Sequence, residues 1–219
     1  MQQGKRGWLY DFGVNTAGIE TLRIKGERGQ QIDLQFAEYI NPDGELDYGN
    51  LGFYPDGFVQ RDVYILKGEG EEVFEPQFTY HGARYCLVLG LTDEQATEEL
   101  LTFDICASAI GDRGDFRCSD DTVNKLQVMT RNSDLSNFYY FPTDCPHREK
   151  NGWTGDASVS CEQLSLNFAP EKSYKEWLRN IRKTQKETGE LPGIIPTGGW
   201  GYEWGNGPAW DQSRQCCRI

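Results

Sequence analysis

Ile32-Asp33-Leu34-Gln35-Phe36 alternates apolar and polar side chains, the two-residue period of a strand with one face in a core. Val63 and Ile65 repeat the pattern, and Val73-Phe74, then Tyr85, Leu87 and Leu89, then Phe103, Ile105 and Ala107 extend it. Asn41-Pro42-Asp43-Gly44, Pro55-Asp56-Gly57 and Gly68-Glu69-Gly70 are turn signals between these runs. With no long helical stretch among them, the short strands predict an antiparallel β-sandwich. The period changes after Gly111-Asp112-Arg113-Gly114. Ser119 and Asp120 are N-cap candidates, and Val123, Leu126 and Met129 or Thr130 follow at helical spacing. A second helix fits about 156–168, with Ala157, Cys161, Leu164 and Phe168 on one face. A third starts at Pro170-Glu171, turns Tyr174, Trp177, Leu178 and Ile181 inward, and ends at Gly189 and Pro192. The chain therefore reads as multi-domain, β then α: a β-sandwich over 1–113 and paired helices over 114–219.

Composition narrows the partners. A net charge of −12 opposes nucleic acid, which needs clustered Lys and Arg, and opposes an anionic membrane surface. No apolar run approaches the roughly 18–20 residues of a membrane span. Met1-Gln2-Gln3-Gly4-Lys5-Arg6 is not followed by the apolar stretch of a signal peptide. The seven cysteines are odd in number and form no CxxC pair, so neither a disulfide framework nor a zinc site is expected. Cys145-Pro146-His147 offers a ligand pair, but the chain has only two histidines, and no metal or other cofactor is expected. Reduced thiols in a cytoplasmic protein are the expectation.

The segment richest in chemistry lies between the first two helices: Thr143-Asp144-Cys145-Pro146-His147-Arg148-Glu149-Lys150-Asn151-Gly152-Trp153-Thr154-Gly155-Asp156. Pro146 and two glycines shape it as a loop. Asp144, Glu149, Asp156 and Arg148 are suited to pairs of sugar hydroxyls, and Trp153 to the C–H face of a pyranose ring. Asp156, at a helix start, would be held ionised by the helix dipole. Glu149 is placed as a proton donor, with neighbouring anions and an apolar wall from Trp153 favouring its protonated form. The competing reading is a surface loop whose charges cap helices. A second patch, Pro196–Asp211, sets Trp200, Trp204, Trp210 and Tyr202 among glycines, so its rings sit on a loop rather than a regular helix.

Together these residues resemble the bacterial α-L-rhamnosidases of glycoside hydrolase family 78. Asp144–Glu149 with Gly152–Asp156 looks like that family's signature, and Gly199–Tyr202 with Gly207–Asp211 resembles its next substrate-site segment. Asp11–Gly18 and Phe78–Tyr85 resemble the opening and last core strands of its β-sandwich domain. The resemblance covers about residues 8–212. It implies a β-sandwich joined to the first helices of an (α/α)6 six-hairpin barrel that hydrolyses terminal α-L-rhamnosyl groups of glycosides or oligosaccharides with inversion, without a catalytic metal. It makes Glu149 the general acid, has Asp144, Arg148, Trp153 and Asp156 hold the rhamnose, and makes Trp200, Trp204 and Trp210 wall residues.

In that family the general base is a second Glu farther along the barrel, and the resemblance assigns that role to none of Glu187, Glu190 and Glu203. An incomplete, inactive barrel is therefore expected, with a truncation or frame shift after about residue 212 and upstream modules absent. Two readings compete with the hydrolase: a non-catalytic carbohydrate-binding fragment, and a six-hairpin glycosidase for another sugar.

Overall fold

A computed structural model describes residues 1–52, 57–199, 201–203 and 207–211. The expected turn residues Pro55 and Asp56, the rings of Trp200 and Trp204, and the stretch after about 212 lie outside the described residues. The chain forms two compact units, Met1–Cys106 with Pro146–Arg148, and Ala107–Cys145 with Glu149–Ile219.

The first unit is a seven-stranded antiparallel sheet. Its strands are β1 (Gln2–Gln3), β2 (Trp8–Lys25), β3 (Gln31–Ala37), β4 (Gln60–Ile65), β5 (Glu71–Phe74), β6 (His81–Leu89) and β7 (Leu101–Ile105). The order is β1-β2-β6-β3-β4, with β5 and β7 also paired to β2. The 18-residue β2 organises the sheet. Its first half pairs with β1 and β6, its register breaks between Asp11 and Thr16, and Gly18–Lys25 carries β7 and β5. That break lets the sheet bend: Leu22 and Ile24 of β2 and Leu101 of β7 share one buried cluster with Ile32, Leu34 and Phe36 of β3 and Cys86 and Val88 of β6. The β-sandwich expected from the sequence takes the form of this antiparallel β-sheet domain, with helices after it. Asn41–Gly44 is a turn as expected: the Gly44 amide donates to the Asn41 carbonyl at 2.9 Å, and Gly44 takes φ +86°, open to residues without a Cβ.

One strand reverses its expected faces. Val63 and Ile65, expected inward, are 41% and 58% exposed. The register explains this, because Ile32 stands opposite Tyr64, Leu34 opposite Asp62 and Phe36 opposite Gln60. Facing residues share a side of the sheet, so the buried face of β3 draws Gln60 and Asp62 inward. Gln60 compensates by clasping the Gly82 backbone, donating to its carbonyl at 2.8 Å and accepting from its amide at 3.0 Å. Ile105 is also exposed.

The second unit contains α1 (Asp121–Ser136), α2 (Thr154–Asn167), α3 (Glu171–Thr184) and the short α4 (Pro208–Asp211). The expected stripe on α2 is fully buried, and Ala157, Cys161, Leu164 and Phe168 pack with Tyr174, Trp177 and Ile181 of α3. The third helix, α3, stops earlier than expected. Past Thr184 the chain closes a small turn, with the Lys186 amide on the Glu190 carbonyl and the Gly189 amide on that of Lys186. Of the two cap candidates on α1, Asp120 is the one used; its carboxylate accepts from the amides of Thr122 (2.8 Å) and Val123 (3.3 Å). Asp120→Ala should therefore cost about 0.5–2 kcal/mol, read as a lower urea midpoint at unchanged slope.

The apolar spacing on α1 does not mark a core face: Val123, Leu126 and Met129 are all exposed. Periodicity defines a stripe but not what lies against it. Polar pairs tie α1 to α2, Gln127 with Asn167 and Asp134 with Gln163, and it is Leu135, off the expected stripe, that packs on the shared core. No described helix is long and apolar enough to cross a membrane.

Candidate functional site

The loop ahead of α2 is closed by two reciprocal bonds. The Asn151 amide donates to the Asp144 carboxylate, and the Asp144 amide to the Asn151 carbonyl, both at 2.9 Å. Inside this closure the Cys145 thiol donates to the second Asp144 oxygen at 2.8 Å, and Lys150 takes φ +54° as the chain turns back. The Glu149 carboxylate then meets Trp153, whose indole N–H donates to Oε2 at 3.0 Å. Trp153 was expected to present an apolar wall to Glu149; it presents its polar edge instead.

Trp153 is the N-cap residue of α2, and its strand-like bridge to Ile194 fixes where that helix begins. The Thr154 amide and hydroxyl both reach the Gly193 carbonyl, and the Ile195 amide reaches that of Gly152. Gly152 cannot be replaced without moving this contact, since a Cβ there would lie 2.0 Å from the Ile195 oxygen. Gly155 leaves room for the Trp210 ring in the same way, with 2.6 Å from a would-be Cβ to the nearest ring atom. Trp210 thus joins Asp144, Glu149, Trp153 and Asp156 around the start of α2. Arg148 belongs to the first unit, where its Nη1 donates to the Asn50 carbonyl at 3.1 Å.

The carboxylates crowd one another. Burial raises the Asp144 carboxyl above its ordinary value, against the opposing bonds from Cys145 and Asn151, and the Glu149 charge adds to it. Asp156 is raised too, although the dipole at its helix start was expected to hold it ionised. Loss of solvation leads, the Asp144 and Glu149 charges add, and the lowering from its own backbone N–H is smaller. Asp156 is itself exposed.

Asp144 and Asp156 line an open cavity of about 280 Å³ together with Asp134, Ser160 and Gln163. Glu149 and Trp153 do not line it. Asp134 carries no motif and lies on a helix whose apolar spacing misleads, so nothing in the sequence pointed to it. Its carboxyl is pushed up to about 6, by burial above all and against bonding from Gln163 and the charge of Arg131. A folded-state value above the ordinary 3.8 means the folded chain holds a proton that the unfolded chain releases. This contribution is therefore present at low pH and is lost as pH rises through about 6. Asp134→Asn should raise the melting temperature relative to the parent at about pH 7 and lose that advantage near pH 4. A difference that does not change with pH would contradict it.

Two domain models of one family match the chain: the bacterial alpha-L-rhamnosidase concanavalin-like domain over residues 1–109 and the bacterial alpha-L-rhamnosidase 6 hairpin glycosidase domain over residues 111–217. An alpha-L-rhamnosidase of Formosa agariphila is 36% identical over 80% of this chain and 18% of its own length. One from Streptomyces avermitilis is 32% identical over 92% and 19%. Among solved structures, alpha-L-rhamnosidase from Dictyoglumus thermophilum superposes with a TM-score of 0.90 at 37% identity, covering 99% of this chain and 24% of that one. The Streptomyces avermitilis enzyme complexed with L-rhamnose gives 0.80 at 32%, over 87% and 18%. The chain spans about one fifth of the length of the curated relatives it matches. With both of its units matched and the fold shared along nearly its whole length, the chain belongs to the bacterial α-L-rhamnosidase family.

Proposed function

We propose that this chain supplies the general-acid side of a site that removes terminal α-L-rhamnosyl groups from glycosides with inversion. The observation that carries the reading is the position of Glu149, held by the Trp153 indole N–H in a loop that also presents Asp144 and runs into the first turn of α2, which carries Asp156. Its carboxyl delivers a proton to the departing glycosidic oxygen as the C–O bond breaks. A water on the opposite face attacks the anomeric carbon and gives its proton to a second carboxylate, roughly 6.5–9.5 Å from the first. That base lies outside these 219 residues, and the chain alone binds sugar without turning it over. Asp144 and Asp156 hold sugar hydroxyls, while Trp153 and Trp210 wall the ring. The L-rhamnose complex of the Streptomyces avermitilis relative supports the choice of sugar.

A panel of aryl glycosides offered to an enzyme-length protein carrying this chain tests the reading. Selective cleavage of the α-L-rhamnoside with an inverted product is expected. A clear preference for another sugar, or a retained product, would overturn it.

A further inference from the structure

We propose that Glu20, Asp62 and His81, brought together inside the β unit from β2, β4 and β6, form a binding site for one divalent cation of the manganese–zinc class. The proposal is independent of the glycosidase reading. One donor atom from each residue lies within 4.8 Å of the other two. Glu20 is completely buried, and neither of its carboxylate oxygens has a hydrogen-bond partner among the described residues. A buried carboxylate is normally paired, hydrogen-bonded or metal-bound, because stripping its water is otherwise too costly. Beside Glu20 stands a second acid, Asp62, whose carboxylate also contacts the Nε2 of His81, so two carboxylates share one imidazole.

The trio is also held for ligation. The His81 ring is 5% exposed and stacks on Phe36 with centroids 4.3 Å apart, which fixes the plane of its nitrogens. Gln60 ties β4 to Gly82 beside His81, and the register that reverses the faces of β4 is what sends Asp62 inward. Two carboxylates and one imidazole make an oxygen-rich set with a single nitrogen, suited to Mn²⁺ or Zn²⁺. Ligand bonds of about 2.1 Å need donors no more than about 4.2 Å apart. The cation would therefore draw the three side chains slightly inward and replace the Asp62–His81 contact.

Mn²⁺ is the probe of choice, because it competes poorly for the chain's seven cysteines. The chain is stripped with chelator, dialysed and titrated with Mn²⁺, while EPR counts the free ion and pulsed EPR reports nitrogen coupling. One tightly held Mn²⁺ per chain is expected, with coupling to one imidazole. The chain has only two histidines, so the coupling should survive His147→Gln and vanish in His81→Gln. Glu20→Gln should weaken the ion at least about tenfold, taking the loss usual for an outer-shell partner as a lower bound. It should also abolish the rise in melting temperature that Mn²⁺ gives the parent. If Glu20→Gln fails to fold, the nitrogen coupling in the parent and in His147→Gln decides alone. Absence of a tight ion in the parent, coupling that persists in His81→Gln, or equal binding by a folded Glu20→Gln would overturn the site and leave a proton as what neutralises Glu20.

Discussion

In an enzyme-length protein carrying these residues, Glu149→Gln is expected to lower kcat for an aryl α-L-rhamnoside by about 10²–10⁴-fold, the range of a lost general acid. The amide is nearly isosteric and still accepts from the Trp153 indole N–H, so the loop should keep its shape and KM should change little. The leaving group sharpens the test. A weakly basic leaving group such as dinitrophenolate departs without protonation, so the variant's deficit there should shrink to a small fraction of its value for a basic alcohol. A loss of equal size for both would mean that Glu149 positions the sugar rather than donates a proton. Undiminished hydrolysis would remove it from the chemistry altogether.

Trp177→Ala carries the largest expected effect on stability. Trp177 is 1% exposed in the core between α2 and α3, and its indole N–H donates to the Ile195 carbonyl at 2.7 Å. Truncation leaves a large void, at about 3–5 kcal/mol, and takes the donor from a buried carbonyl, which adds to that. This is a large share of the 5–15 kcal/mol typical of a whole domain, roughly. The segment that receives the bond is also the one that meets Gly152 and Thr154, so Trp177 supports the candidate site from behind. Chemical denaturation followed by near-UV circular dichroism should show the second unit lost first. A loss below about 1 kcal/mol would mean the core closes around the gap.

The sequence disclosed elements and motif more readily than it disclosed what faces what. The α2 stripe was legible because Ala157, Cys161, Leu164 and Phe168 recur at helical spacing and all meet one core. The same spacing failed on α1, where Val123, Leu126 and Met129 are exposed and it is Leu135, beside polar pairs with α2, that packs on the core. On β4 the side chains of Val63 and Ile65 gave the wrong face, since pairing with β3 rather than local hydropathy decides which side is covered. Around α2, the clustering of Asp144, Glu149, Trp153 and Asp156 was visible because they lie within one short stretch. Asp134 and the Glu20–Asp62–His81 trio were not, since long separations in sequence hide groups that only pairing and packing bring together.

The long β2 strand has a consequence for how the chain is made. It is complete at Lys25, but its last partner in the sheet is not finished until Ile105. At synthesis rates of about 5–20 residues per second, the 80 residues between those points (105 − 25) take roughly 4–16 s to add. Throughout that interval β2 has backbone groups waiting for strands not yet synthesised, an open template for pairing with neighbouring chains. Slower decoding between residues 26 and 105, or scarcity of holding chaperones, should therefore lower the yield of this domain far more than a comparable delay among the helices.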